Sequence, residues 1–320
     1  MVCMSPRLLC FVLAVASSAA FAQQSGRMVV PYPPGGSLDA LGRLFAARLG
    51  EATGRSFVVE NRAGAAGAIG SASLKGGPAD GSLVLLAPDS NISVYPAAVA
   101  KPAYAPLADF IAVAHAGDYR IGLAVHPEVP ANDLKSFVAW TRAQPGPAGY
   151  GTAGAGTNLH FYGALFAQVS GASMRHVPYR GSIPALTDLA AGHIPATVLP
   201  FGTQLTQARS GRIRILAQTG ENRAPSAPEV PSFKELGYPM LSSPGWYGIF
   251  VPAGTPAEIV GRYHDVIVKA QRGAEMRERM KMLEVEPREM GLAEFQAFVR
   301  ADTERWAPII KASGFTPGVD

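Results

Sequence analysis

"YPPGGSLDALGR", residues 32–43, sets two prolines and two glycines directly before a run with helical spacing. It overlaps the end of "RMVVPY" (27–32), which reads as a strand. It precedes Leu41, Leu44, Phe45 and Leu49, which recur at the three-to-four-residue interval of an amphipathic helix. The stretch reads as strand, glycine turn, helix. Two readings are open for the turn. It is a plain reversal, or it leaves the backbone N–H groups of a helix start bare for an anion. The first turn of a helix has unpaired donors and about half a positive charge.

The same alternation continues along the chain. "SFVVENR" (56–62), "SLVLLA" (82–87), "IAVAHAG" (111–117), "IGLAVHP" (121–127) and "MRHVPY" (174–179) read as strands, as do "IPATVL" (194–199), "RIRILAQ" (212–218) and "WYGIFVP" (246–252). Helices are expected over roughly 133–143, 157–170, 182–191, 203–210, 256–271, 275–283 and 292–312. Strands alternating with helices argue an α/β fold with largely parallel sheets. Two strands flanked by proline and glycine, "AVHPEVPAND" (124–133) and "LSSPGWYGIFVPAGTP" (241–256), bracket a self-contained βαβ block. A chain that crosses into a second lobe and later returns has this layout, and two lobes make a ligand-binding cleft. A single continuous domain is the alternative.

The N-terminus carries Arg7, an apolar run from Leu8 to Ala16, and the small-x-small site Ala20-Phe21-Ala22. Residues 1–22 therefore read as a secretory signal peptide cleaved near Ala22/Gln23, and the mature protein is expected in the periplasm. Cys3 and Cys10 are the only cysteines and fall in that segment. Cys10 precedes most of the apolar run, so it does not read as a lipidation site. The mature chain is expected to have no disulfide. It keeps 320 − 22 = 298 residues, enough for two ordinary domains. The net charge of +4 falls to +3 with Arg7 removed, and the charges are scattered, so nucleic acid is not an expected partner. No later apolar run reaches the ~20 residues of a membrane span.

Enzyme motifs are absent from the sequence. There is no H-E-x-x-H and no G-x-S-x-G, and the six histidines do not pair at metal-ligand spacing. No metal, no cofactor and no catalytic residue is expected. "EMRERMKMLEVEPRE" (275–289) alternates charges as a solvated helix face does. "GYGTAG" (149–154) matches G-x-G-x-x-G, but "VSGASMRHVPY" (169–179) lacks the acidic residue that a dinucleotide site requires about 20 positions on. Two small-residue loops before helices remain, the opening stretch and "YGTAGAGTNLHF" (150–161). Glycine permits close approach to such a helix start, and Ser37, Thr152 and Thr157 add hydroxyl donors. One loop per lobe would hold a carboxylate without any arginine.

These residues resemble a known family. "VVPYPPGGSLDALGRLFAARLGEATGRSFVVENRAGAAGAIG" (29–70) is similar to the opening of the tripartite tricarboxylate transporter substrate-binding proteins, the Bug proteins. The likeness continues through "ADGSLVLLAPDSN" (79–91), "YGTAGAGTNLHF", "HVPYRGSIPALTDLAAGHI" (176–194), "RIRILAQTG" (212–220), "EVPSFKELGY" (229–238) and "GIFVPAGTP" (248–256). It implies a type II periplasmic binding protein fold, two α/β lobes joined by a hinge of two crossing strands. Lobe 1 would be 23–123 plus 248–320, and lobe 2 would be 124–247. The function implied is capture of a small organic carboxylate for a tripartite tricarboxylate-type transporter. The partners implied are that acid and the membrane subunits, with the receptor a monomer. Carried over by motif, the first lobe would contact ligand through Tyr32, Pro33, Gly35, Gly36, Ser37 and Asp39, with Ser90 and Asn91. The second would use Thr152, Ala153, Gly154, Gly156, Thr157 and His160. Two departures stand out. Leu38 replaces a frequent threonine, and "VLPFGTQL" (198–205) has Pro200 and Phe201 where the family often has aspartate. Phe201 is counted with the ligand-binding residues, and the missing carboxylate argues against an acidic amino acid. Asp89 is expected close to the cleft. The sequence thus reads as a periplasmic solute receptor and not an enzyme. A periplasmic ligand sensor is the alternative, as is a hydrolase or isomerase using His160 or Asp39.

Overall fold

In the computed structural model, residues 25–312 and residue 315 are described. The signal peptide, its Ala20-Phe21-Ala22 site and both cysteines lie outside them. Strand β1 (Gly26–Val30) enters the glycine turn and is followed by helix α1 (Ser37–Thr53). Leu41, Phe45 and Leu49 of α1 are fully buried on the sheet. Gly42 lies so close to β1 that a Cβ there would sit 2.8 Å from Val30 Cγ2. Gly54 ends the helix in the left-handed region at φ 69°, returning its N–H to the Gly50 carbonyl.

Strands β2 (Phe57–Asn61) and β3 (Leu83–Pro88) flank β1, both parallel to it. Between them the Gly/Ala-rich stretch turns through Ala65 and Ala66, both at positive φ, into a short helix, Ala68–Ala72. Strand β4 (Phe110–Tyr119) is separated from β5 (Ile121–Val125) by Arg120 alone, yet the two lie in different sheets. A second α/β unit follows: α2 (Leu134–Ala143), β6 (Ala148–Thr152), α3 (Asn158–Ser170), β7 (Met174–Pro178), α4 (Ser182–Ala190), β8 (Ala196–Pro200), α5 (Phe201–Arg209) and β9 (Arg214–Gln218). The chain returns to the first sheet in β10 (Gly245–Pro252) and ends with α6 (Ala257–Arg272), α7 (Ala274–Met282), β11 (Val285–Glu286) and α8 (Leu292–Ala312).

The first sheet has the order β11-β4-β10-β3-β1-β2 and the second β7-β6-β8-β5-β9. Both repeat one plan. A central strand (β1 or β6) pairs in parallel with the next two strands of its unit, and a crossing strand (β10 or β5) adds antiparallel to the third. The sheets are therefore mixed, not largely parallel. A strand arriving from the other lobe enters from the opposite end, so it runs against its neighbours. Division by sheet membership falls at Arg120 and ahead of Gly245, whereas 123/124 and 247/248 fall inside β5 and β10. Strands β3, β5, β8 and β10 are buried along their whole length, so the core of each lobe lies on both faces of its sheet. In such sheets, ligands gather beyond the carboxyl ends of the parallel strands. Here the loops leaving β1, β3, β6, β7 and β8 all reach one pocket.

Candidate ligand-binding site

The first-lobe wall is the β1–α1 turn. Gly35 takes φ +96°, a conformation that side chains rarely adopt, and Gly36 occupies the N-cap of α1 with no side-chain cap. Ser37 and Leu38 follow at the helix start, where N–H groups have no intrahelical acceptor. Asp39 is committed elsewhere. Its carboxylate accepts from Gly35 N–H (3.2 Å), Asn61 Nδ2 (3.0 Å) and Arg43 Nη2 (3.0 Å). Burial pushes its pKa up, but those hydrogen bonds and the Arg43 charge outweigh burial and hold it below the usual value. Asp39 thus fastens the turn to α1 and β2.

The second-lobe wall comes from three helix starts. Asn158 and Leu159 begin α3, Gly181, Ser182 and Ile183 surround the start of α4, and Pro200 and Thr203 flank that of α5. Thr157 caps α3 by accepting from His160 N–H, whereas α4 and α5 have no side-chain cap. With α1, four helix N-termini meet at this pocket, each bringing about half a positive charge. Among the described lining residues there is no lysine, arginine or histidine.

Behind the pocket a buried network ties the lobes together. Asn158 Nδ2 lies 2.9 and 3.0 Å from the two oxygens of Asp89 and 2.8 Å from Tyr119 Oη, and Asn158 Oδ1 accepts from Ser90 Oγ at 2.7 Å. Asp89 is 1 % exposed and does not line the pocket. Burial, then the nearby Asp302 charge, push its pKa up to about 8, opposed by the hydrogen bond from Tyr119. The carboxylate that the sequence placed near the cleft is therefore an internal fastener. Tyr119 and Tyr247, at the ends of β4 and β10 near the lobe crossings, stack at 4.3 Å and line the pocket. Tyr247 Oη is paired with Ser37 Oγ at 3.1 Å.

Of the residues singled out in the sequence, Tyr32, Pro33, Gly36, Ser37, Asp39, Ser90 and Ala153 line this pocket. Gly35 stands behind it. Asn91, Gly156 and Thr157 line a neighbouring cavity with Ala66, Lys101 and Phe315, on the far side of Ser90. Thr152 is fully buried, bonded to Gly154 O and His176 Nε2. Gly154 packs across the lobe boundary, where a Cβ would come 2.7 Å from the Ala66 Cβ. His160 is turned away, its ring stacked on His176 at 3.8 Å and its Nδ1 accepting from Gly156 N–H. Phe201 does not line the pocket. It is fully buried, and its ring lies under β5, 3.3 Å from where a Gly122 Cβ would be. An apolar ring at the end of a buried strand gains more from the core than from a ligand.

The sequence reading missed the α4 start, Gly181, Ser182 and Ile183, although "YRGSIP" repeats the Gly-Ser-before-helix signal of the opening stretch. It also missed Asn158, Tyr119 and Tyr247.

Known proteins share this architecture. Residues 41–315 match the model of the tripartite tricarboxylate transporter family receptor, TctC. Protein BugT of Bordetella pertussis is 31 % identical over 289 residues, covering 90 % of this chain and 89 % of that protein. A protein encoded in the tcbD-tcbE intergenic region of Pseudomonas sp. (strain P51) is 32 % identical over 295 residues, covering 91 % and 87 %. Among solved structures, the periplasmic binding protein BugD superposes with a TM-score of 0.86 at 27 % identity, covering 92 % of this chain and 98 % of that one. R. palustris Rpa4515 with adipate superposes with a TM-score of 0.87 at 29 % identity, covering 93 % and 100 %. The chain belongs to the tripartite tricarboxylate transporter receptor family of periplasmic binding proteins.

Proposed function

We propose that this chain is an extracytoplasmic solute receptor that closes over a small organic carboxylate and delivers it to membrane subunits of a tripartite tricarboxylate-type transporter. The observation that carries this reading is the meeting of four helix N-termini at a pocket with no cationic side chain. Backbone N–H groups and helix dipoles neutralise a carboxylate without the long, costly ordering of lysine or arginine. The contacts are Tyr32, Pro33, Gly36, Ser37, Ser90 and Ala153 from the sequence reading, joined by the α4 start. The adipate bound by the similar R. palustris protein supports the same ligand class. A receptor role, as against catalysis, is supported by the lining itself. No described lining hydroxyl is paired with a histidine, and Asp39 is held by Arg43, Asn61 and Gly35. Tyr119 Oη donates only to Asp89, which is buried behind the pocket and already held by Asn158. The nucleophile and base that nucleophilic catalysis needs therefore do not meet in the pocket. Export to the periplasm as a monomer completes the proposal.

Calorimetric titration of the mature chain against mono-, di- and tricarboxylates tests it, with melting curves run alongside. One site per chain is expected. A ligand at about 100 times its Kd adds roughly 2.7 kcal/mol of stability, a melting shift of several degrees. Binding confined to sugars or cationic amino acids overturns the proposal.

A further inference from the structure

The pocket also carries information about the body of its ligand, an inference that rests on the carboxylate reading above. Its polar side chains are nearly all committed within the protein. Tyr32 Oη donates to Ala66 O, Ser90 Oγ to Asn158 Oδ1, and Tyr119 Oη to Asp89, while Asp39 is held by Arg43, Asn61 and Gly35. Ser37 and Tyr247 bond each other, which leaves one O–H of the pair to offer. Ser182 and Thr203, in the first turns of α4 and α5, line the pocket and form no side-chain hydrogen bond among the described residues. What the site offers a ligand is therefore O–H and N–H donors grouped at helix starts. Its one lining carboxylate, Asp39, has both oxygens taken up by Gly35, Asn61 and Arg43. The intervening wall is hydrocarbon, supplied by Pro33, Leu38, Pro88, Leu159, Ile183 and Pro200.

We infer that the receptor selects organic acids with an unsubstituted hydrocarbon body over their 2-hydroxy and 2-amino counterparts, and that Ile183 belongs to the wall enforcing this choice. The donors match carboxylate oxygens, which only accept. A ligand ammonium entering the pocket gives up water and meets only a carboxylate, Asp39, that Arg43, Asn61 and Gly35 already occupy. Leaving a charged donor unpaired is heavily penalised. A ligand hydroxyl competes with the carboxylate oxygens for the Ser182 and Thr203 hydroxyls, at a smaller cost than the ammonium's. Burying plain methylene groups there is favourable.

The test uses matched series that differ only at C2: succinate, malate and aspartate; glutarate, 2-hydroxyglutarate and glutamate; adipate, 2-hydroxyadipate and 2-aminoadipate. Affinities for the mature chain are measured by calorimetry. Within the series that binds most tightly, the unsubstituted acid is expected to exceed the hydroxy acid by about tenfold and the amino acid by about a hundredfold. Equal or tighter binding of either substituted acid overturns this inference while leaving the carboxylate reading intact. Failure of all nine acids while a mono- or tricarboxylate binds also overturns this inference, and failure of those acids as well overturns the carboxylate reading itself. Ile183→Asp provides the second arm. Ile183 is 38 % exposed, so the variant is expected to fold, and it places an acceptor at the wall. All acids should weaken, but the preference against the amino acid should narrow by about tenfold. An unchanged ratio overturns the assignment of Ile183.

Discussion

The two small-residue loops of this protein look alike on paper and do opposite work. The loop at 32–39 leaves its helix start open. Gly36 supplies no cap, and the carboxylate that stands three residues on, Asp39, is drawn away by Asn61 and Arg43. The loop at 150–160 leaves only Ala153 and the start of α3 at the pocket, and most of its other groups are used internally. Thr157 caps α3, Thr152 holds the Gly154 carbonyl and His176, and Gly154 serves as a seat for Ala66 of the other lobe. In the second lobe the open starts belong instead to α4, behind Gly181, and to α5. The contrast separates two uses of glycine. Where nothing caps the helix, glycine exposes donors. Where a threonine caps it, glycine permits close packing.

The sharpest way to break this contrast is Gly36→Val. Gly36 has φ −85° and ψ 170°, open to a β-branched residue, and a Cβ there meets no atom within 4 Å. The fold should persist, since a glycine N-cap is worth only about 1 kcal/mol or less over an apolar residue. The added methyl groups occupy the pocket at an open helix start. Carboxylate binding is expected to fall by more than about a hundredfold in calorimetric titration, with the melting temperature changed by no more than a few degrees. Wild-type affinity in a well-folded Gly36→Val protein would reduce the opening stretch to a turn.

A smaller effect is expected at the seam between the lobes. Asn158→Ala keeps a good helix former at the start of α3 but removes the donors that Asp89 receives from the opposite lobe. Losing hydrogen bonds to a buried carboxylate costs about 1–3 kcal/mol. Both the melting temperature and the ligand affinity should drop, affinity by about tenfold, because closed lobes lose a bond that open lobes do not have. Small-angle scattering at saturating ligand should show a larger radius of gyration than in the wild type. Unchanged affinity and radius would make the network a fastener of the fold alone.

Much of the architecture was legible because its signals are local. α1 follows from the spacing of Leu41, Phe45 and Leu49, and the crossings follow from punctuation around β5 and β10. β6 was harder to read. "AGYGT" has no β-branched run, since Gly149 and Gly151 make room for Val177, Ile194 and Tyr179 packed against them. The direction of the crossing strands was not legible, because β5 pairs with residues about 70 to 100 positions later and β10 with residues more than about 120 positions earlier. The site divided in the same way. The open start of α1 shows in four adjacent residues, whereas the diversion of Asp39 depends on Asn61, 22 positions later, and that of Thr152 on His176, 24 positions later. Phe201 was misread because a residue next to a pocket-lining proline can still point into the core.

The smallest effect is one of pH, and it tests whether the 150–160 loop is structural. Burial, and after it the charge of the stacked His160, lower the His176 pKa from 6.5 to about 3. The sign follows from proton counting. Between these values the unfolded chain holds a proton on this residue that the folded chain does not, so stability rises with pH across that window. It is complete above about 6.5 and declines as pH falls towards 3, at no more than about 1.4 kcal/mol per unit. His176→Gln cannot titrate, yet keeps an amide within reach of Thr152 Oγ1. Denaturant unfolding at pH 7.5 and pH 5 should therefore show a smaller loss of stability in the variant than in the wild type, by up to about 2 kcal/mol. If the loop only packs, carboxylate affinity at pH 7.5 should stay within about twofold of wild type, since His176 stands behind Thr152 and does not line the pocket. A tenfold loss of affinity at pH 7.5, with the pH dependence of stability unchanged, would return this loop to the ligand and erase the contrast with residues 32–39.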